Sequence, residues 1–469
     1  MARKKKEPKY YPNLLITNAG SEGKSIARVD GKVIMVDYAV PGDIANVKTT
    51  YQKHKFETGF IEELIQASPD RVETFCEHFG TCGGCKWQQM SYEAQLRYKQ
   101  QQVEDAFQRI GKFEYPALEP IIGSEKTKHY RNKLEYSATD RKWLANLDDK
   151  TELSDEEHMG LGYHIPGRFD KVFDVFNCHL MDDLNNQIRN EIRAFSKANG
   201  ISFFKLYQQT GLIRNIILRN NSQNEWMLVV CFGEDDETLR EKLMSHLHQK
   251  FPQISSLLYV INTKRNDTIF DLPVVVYAGK DHLIESLEGI QFQIGSKSFF
   301  QTNTEQTLNL YGKAREFAGL TGQENVYDLY TGVGTIALFM AKKAKQVVGI
   351  EYVPQAIEDA KINADLNKIS HVSFYAGDMK DVLNDELIAK HGKPDVIITD
   401  PPRAGMHPDV CAKLMELRAP KIVYVSCNPA TQARDIALMQ EVYQVTKVQP
   451  VDMFPHTHHV ENIALLELK

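Results

Sequence analysis

Cys427 stands in Val425-Ser426-Cys427-Asn428-Pro429, directly after the apolar, β-branched run Lys421 to Val425. Such a run reads as a buried strand, and the Ser-to-Pro turn breaks it. The thiol therefore lies at the carboxyl end of a strand, where open α/β sheets bind ligands. A free cysteine usually buries like a small hydrophobe. A thiol on a polar turn is instead a candidate nucleophile, and Glu461 in His458-His459-Val460-Glu461-Asn462 is a candidate proton acceptor. His456, His458, His459 and Glu461 do not read as a metal site. On a strand, His456 and His458 face one way and His459 and Glu461 the other, leaving too few ligands on either side.

A second constellation lies upstream. The strand Asn325 to Tyr330 runs into Thr331-Gly332-Val333-Gly334-Thr335, whose glycines allow close backbone approach to a ligand at a helix start. Gly332 to Ala337 satisfies G-x-G-x-x-A, which by itself is a weak sign of a dinucleotide site. The next strand ends in Glu351, placed to take two ribose hydroxyls, and a later one is followed by Gly377-Asp378. The turn Asp400-Pro401-Pro402-Arg403 has no place in a dehydrogenase. With the Asp328 start of the motif it favours S-adenosylmethionine over a nicotinamide.

A third group is Cys76, Cys82 and Cys85, spaced C-x5-C-x2-C among Gly80, Gly83 and Gly84, with Cys178 far downstream. Four thiolates suit a tetrahedral zinc or a [4Fe–4S] cluster. Three clustered cysteines with a remote fourth favour iron–sulfur over the paired C-x2-C pattern of zinc. The spacing does not match a radical enzyme, so the expected role is structural.

The elements that position these residues follow from pattern. Residues 1 to about 9 form a basic tail, and residues about 12 to 66 read as a small closed barrel of about five strands, with Asp30-Gly31 as a hairpin turn. This stretch resembles the TRAM domain, an RNA-binding barrel. Ser91 to Ile110 reads as an amphipathic helix able to pack on the catalytic part. From about 296 onward strands alternate with helices, as in a parallel sheet. The expected organisation is a barrel at 1–68, a central α+β domain at 69–287 carrying the cysteines, and a catalytic domain at 288–469. The topology of the central part is not assignable from pattern.

The chain has 469 residues, 42% hydrophobic and 25% charged, with a formal charge of -6. These values describe a globular protein of two to three domains and exclude a wholly basic nucleic-acid coat. No apolar run is long enough to span a membrane, and no signal peptide is evident, so a cytoplasmic protein is expected; a monomer is expected separately. Seven unevenly clustered cysteines suit metal binding and catalysis better than a disulfide framework.

Phe300-Gln301-Thr302-Asn303, Asp328 to Thr335, Asp400 to Arg403, Ser426 to Pro429 and His459-Val460-Glu461 together resemble the RNA (uracil-5-)-methyltransferase family. The four cysteines and the barrel resemble its branch acting on 23S ribosomal RNA. The resemblance implies a Rossmann-like S-adenosylmethionine-dependent domain, Cys427 as nucleophile toward carbon 6 of uracil, and Glu461 as acceptor of the carbon 5 proton. It implies cofactor contacts from Gln301, Tyr330, Glu351 and Asp400, with Gly332, Thr335 and Asp378 beside them. Arg403 is a candidate donor to the developing oxyanion or to RNA. Phe299 and Tyr130 are candidates to stack on bases, and Lys128, Arg131 and Lys133 to meet phosphates. The target would be an unpaired or flipped uridine, since a duplex hides both faces of its ring. The alternatives are the tRNA T-loop branch, an amino-group methyltransferase, and a non-catalytic iron–sulfur RNA-binding protein.

Overall fold

A computed structural model describes residues 7–53, 55–144 and 154–469, so most of the basic tail lies outside the described residues. The amino-terminal unit is a six-stranded sheet. Asp30 and Gly31 both take positive φ (48° and 75°), the backbone a tight hairpin between Ser25–Val29 and Lys32–Asp37 needs. The sheet closes through one extended segment. Tyr10–Leu15 pairs with Ile44–Gln52, and after two intervening residues Asn18–Ala19 pairs with Ser25–Val29. That split is why six strands are found where about five were expected. Leu14, Ile16, Ala27, Ile34, Val36 and Val47 fill the interior.

The central unit is a seven-stranded sheet. Its inner strands Ile213–Asn220 and Trp226–Phe232 are buried almost throughout, so they carry no alternating pattern. Trp226–Phe232 and Ile254–Ile261 are parallel, joined by the crossover helix Glu237–Lys250. That helix and Leu184–Ala198 bury Ile188, Ile192, Leu243 and Leu247 in the same core as Tyr136, Ile216 and Leu228.

The third unit holds a sheet of seven strands: β1 (Asn325–Leu329), β2 (Gln346–Glu351), β3 (Val372–Ala376), β4 (Val396–Thr399), β5 (Lys421–Ser426), β6 (Tyr443–Val451) and β7 (Glu461–Leu468). Their spatial order is β3-β2-β1-β4-β5-β7-β6. β1 to β5 are parallel, and β7 enters antiparallel between β5 and β6. The order reverses between β1 and β4, and the crevice above that point is where such sheets take ligands. This is a Rossmann-like arrangement, as the resemblance implies.

The helix expected over 91–110 is Tyr92–Ala106, capped by the Ser91 side chain, and it loosens into a π turn at Phe107–Gly111. Its Val103, Ala106 and Phe107 share one core with Tyr327, Ile350 and Ile436 of the catalytic sheet and its helices. Lys99, fully buried, donates to Asp452 Oδ1 (2.6 Å) and the Phe454 carbonyl (3.0 Å), and the Tyr92 hydroxyl donates to Asp452 Oδ2 (2.9 Å). Burial pushes the Lys99 amine down, and the Asp452 charge opposes it. The pair pins the chain segment that leads into β7.

Candidate active site

Register decides how the thiol and the carboxylate meet. The β5–β7 ladder pairs Tyr424 with Ala464, Val425 with Ile463 and Ser426 with Asn462. The ladder ends there: Cys427 is the residue after β5, and Glu461, the first residue of β7, pairs with Val451 of β6. Asn428 then caps the helix Pro429–Met439, its side chain accepting from the Ala430 amide (3.1 Å). The Asn428 side-chain amide also donates to the Arg403 carbonyl (3.0 Å), tying the Asp-Pro-Pro-Arg turn to the cysteine turn.

The electrostatics are those of a crowded acidic pocket. Burial pushes the Cys427 thiol up to about 12; Glu461 and Asp400 add to this, and Arg403 opposes it. Burial, then Asp400, raises the Glu461 carboxyl to about 8, again against Arg403. Burial raises Asp400 to about 7. Asp328 also rises to about 7 by burial, although Thr331 donates to it at 2.5 Å, and its Oδ1 is buried without a partner. Several acids and a thiol whose ionised forms repel one another, with one exposed arginine as counterweight, make a site that gains from a cationic ligand.

Beside them, Tyr330, Gly332 and Gly334 take φ of 65°, 56° and 83°, folding the turn after β1 back on itself. Glu351 at the end of β2 accepts from the Gly332 amide (3.2 Å) and the Val353 amide (3.0 Å). Thr335 starts the next helix, within 3.3 Å of the Tyr311 hydroxyl. Asp378 caps a short helix after β3. The Asp400 amide donates to the Leu329 carbonyl at 3.4 Å, across the switch point. Gln301 is half-buried, and its carbonyl accepts from the Asn132 side chain (2.9 Å).

Cys76, Cys82, Cys85 and Cys178 line one cavity of about 280 Å³, walled by Phe75, Phe79, Tyr163 and Leu180. Burial pushes Cys82 up to about 11 and Cys85 to about 12, and neighbouring thiols add to the cost of ionising each. Arg131 and Lys133 line the same cavity, and Arg131 Nε is buried without a partner. Among the described residues, the trio of ligand atoms within 4.8 Å of one another is Cys76, Glu77 and His179, not a set of thiols.

Residues 91–469 match the family described as tRNA (uracil-5-)-methyltransferase. The chain belongs to that family. Residues 12–58 match the TRAM domain. An uncharacterized RNA methyltransferase of Bacteroides thetaiotaomicron is 54% identical over 96% of this chain and 100% of its own length. One from Porphyromonas gingivalis is 51% identical over 96% of this chain and 98% of its own length. Among solved structures, the tRNA (uracil-54, C5)-methyltransferase of Pyrococcus abyssi, in complex with S-adenosyl-L-homocysteine, superposes with a TM-score of 0.74. It is 26% identical and covers 96% of this chain and 99% of its own. This family member is therefore an S-adenosylmethionine-dependent RNA (uracil-C5)-methyltransferase.

Two expectations about the site need correction. Tyr130 is 6% exposed, and its hydroxyl donates to the Pro455 carbonyl (3.0 Å), so its ring is core and cannot stack on a base. The segment His456 to Val460 is a loop rather than a strand, with His456 at φ 65°, so the two-faced arrangement of its histidines does not occur. The basic run also divides. Lys128 is exposed, with its amine 4.1 Å from the Phe75 ring centre, whereas Arg131 and Lys133 are half-buried against the cysteine cavity. Phe299 stands 71% exposed, unlike Phe300 beside it at 3%. Sequence pattern gave no notice of Asp435, fully buried on the helix behind Cys427. The available signal was Gln432 and Asp435, two polar residues three apart on the buried face of that helix.

Proposed function

We propose that this enzyme methylates carbon 5 of an unpaired uridine in 23S ribosomal RNA through a covalent bond between Cys427 and carbon 6. The observation that supports the covalent route is the β5–β7 register, whose last pair, Ser426 with Asn462, is directly followed by Cys427 and preceded by Glu461. Carbon 5 of uracil is a poor nucleophile. Addition of the Cys427 thiolate to carbon 6 forms an S–C bond and moves the ring electrons toward oxygen 4, enriching carbon 5. Arg403 is the cation placed to favour both the thiolate and the developing oxyanion. Bound S-adenosylmethionine supplies carbon 5 with an electrophilic methyl group carried on a cationic sulfur. Glu461 then takes the proton from carbon 5, and the returning electron pair expels the Cys427 sulfur from carbon 6. Gln301, Tyr330, Gly332, Thr335, Glu351, Asp378 and Asp400 would hold the cofactor. The acid-rich pocket fits a sulfonium, and Glu351 fits the ribose. Phe299, Lys128 and Arg403 are the exposed candidates for RNA contact, in keeping with a TRAM-bearing enzyme that works in the cytoplasm.

The four cysteines would hold a [4Fe–4S] cluster. A zinc tetrahedron with Zn–S near 2.3 Å needs sulfurs about 3.8 Å apart, closer than any trio of these thiols. The cavity has room for a larger group, and Arg131 and Lys133 would balance its negative charge. Protein purified without oxygen is expected to be brown, with about four irons per chain. One equivalent of zinc and no iron would overturn the assignment.

The second reading is methylation of the tRNA T-loop, favoured by the Pyrococcus abyssi tRNA enzyme, which aligns over 99% of its own length. The resemblance of the cysteines to the ribosomal branch supports the first reading. Mapping 5-methyluridine in ribosomal and transfer RNA, with and without the gene, separates the two. Loss from 23S ribosomal RNA alone is expected, and loss from transfer RNA alone would reverse the choice.

A further inference from the structure

The turn that carries Arg403 is held from behind by a single buried carboxylate. Asp435 is fully buried, one turn beyond Thr431 on the helix that follows Cys427. Its Oδ2 accepts from the Met406 amide (2.7 Å) and from the Tyr424 hydroxyl in β5 (2.7 Å). Its Oδ1 accepts from Arg434 Nε (2.9 Å) and Nη2 (2.6 Å). Arg434 Nη2 continues to the carbonyls of Ala404 (2.9 Å) and Met406 (3.3 Å). The Thr431 hydroxyl donates to the Arg403 carbonyl at 3.3 Å. Gly405 between them has φ 79°, and a Cβ there would lie 2.5 Å from Asp435 Oδ2. Every backbone group of the Arg403–Met406 turn named here is thus read by the helix that starts just after the nucleophile.

We propose that Asp435, acting with Arg434, is the positioning group that fixes the Arg403 turn against the Cys427 turn. It touches no reacting atom; it sets where the Arg403 guanidinium stands. The inference rests on Arg403 being the counterweight to Cys427, Glu461 and Asp400, the charged groups facing the thiol. Arg434, Tyr424, Cys411 and Tyr330 are the titratable or charged groups around Asp435 itself.

The sign of the effect separates positioning from simple charge. Removing a negative charge would by itself make the thiolate easier to form and speed its alkylation. Losing the grip on Arg403 does the reverse. The test is the rate of iodoacetamide modification at Cys427 against pH, read by mass spectrometry on the full chain without RNA. In Asp435→Asn, and in Arg434→Lys, which keeps the charge but loses the fork that reaches the Ala404 and Met406 carbonyls, modification at pH 8 should be roughly threefold to tenfold slower, equal to half to one unit in the thiol pKa. With Arg403→Ala already present, neither change should slow it further. Unchanged or faster modification in folded Arg434→Lys protein would overturn the proposal, even if Asp435→Asn failed to fold. Because alkylation needs no RNA, this result stands apart from whether uridine is the substrate.

Discussion

Cys427→Ala is expected to abolish methyl incorporation into RNA, a loss on the order of 10⁴-fold or more, because the proposed covalent step would have no substitute. The loss should be in chemistry alone. Glu351, Gly332, Asp400 and the turn after β1 are held by their own backbone bonds, none of which involves the thiol. Cofactor affinity by calorimetry should therefore stay within about twofold, since a change of that size is only about 0.4 kcal/mol. Stability should change by less than about 1 kcal/mol, as the thiol is only half-buried on a capped turn. Cys427→Ser tests the same point differently. A hydroxyl fills the site but is a far weaker nucleophile, so it should be nearly as inactive as alanine. Incorporation at the normal rate by the alanine variant would mean that carbon 5 is activated without a thiol adduct.

The chemistry was more legible than the architecture around it. Cys427 and Glu461 stood out as candidates because turn residues and apolar runs are local signals, and because the motifs around them resemble a known family. Their placement at the end of one ladder did not, because it depends on β7 entering antiparallel between β5 and β6, a non-local pairing. The same reason hid the central sheet. Trp226–Phe232 is buried at every position, so periodicity carries no information about its neighbours. Tyr130 was misplaced because a basic run suggests an exposed face, whereas its hydroxyl partner lies 325 positions away in the chain. The barrel's hairpin was plain from Asp30-Gly31, but its closure by one split segment was not.

Glu461→Gln is expected to stop turnover at the opposite end of the reaction from Cys427→Ala. Addition at carbon 6 and methylation of carbon 5 need no carboxylate, but the carbon 5 proton then has no acceptor, and the sulfur cannot leave. Methylated RNA should remain bonded to the protein and migrate as a slow band in a denaturing gel. The same substitution should alter how stability depends on pH. Glu461 has its folded pKa raised from 4.5 to about 8. Between those values the folded protein holds a proton that the unfolded chain releases. Its contribution to stability is therefore fully present below pH 4.5 and is lost as pH rises through about 8. Glutamine does not titrate, so melting temperature should fall less between pH 5 and 8.5 in the variant than in the parent. Asp328 and Asp400, raised from 3.8 to about 7, would keep the remaining slope. The two readouts check each other. A flattened pH profile without the trapped band would place Glu461 in the buried pocket but give the proton to another acceptor. Free methylated RNA released at the normal rate would remove Glu461 from the mechanism, and the opposition of β5 and β7 would then be a matter of structure alone.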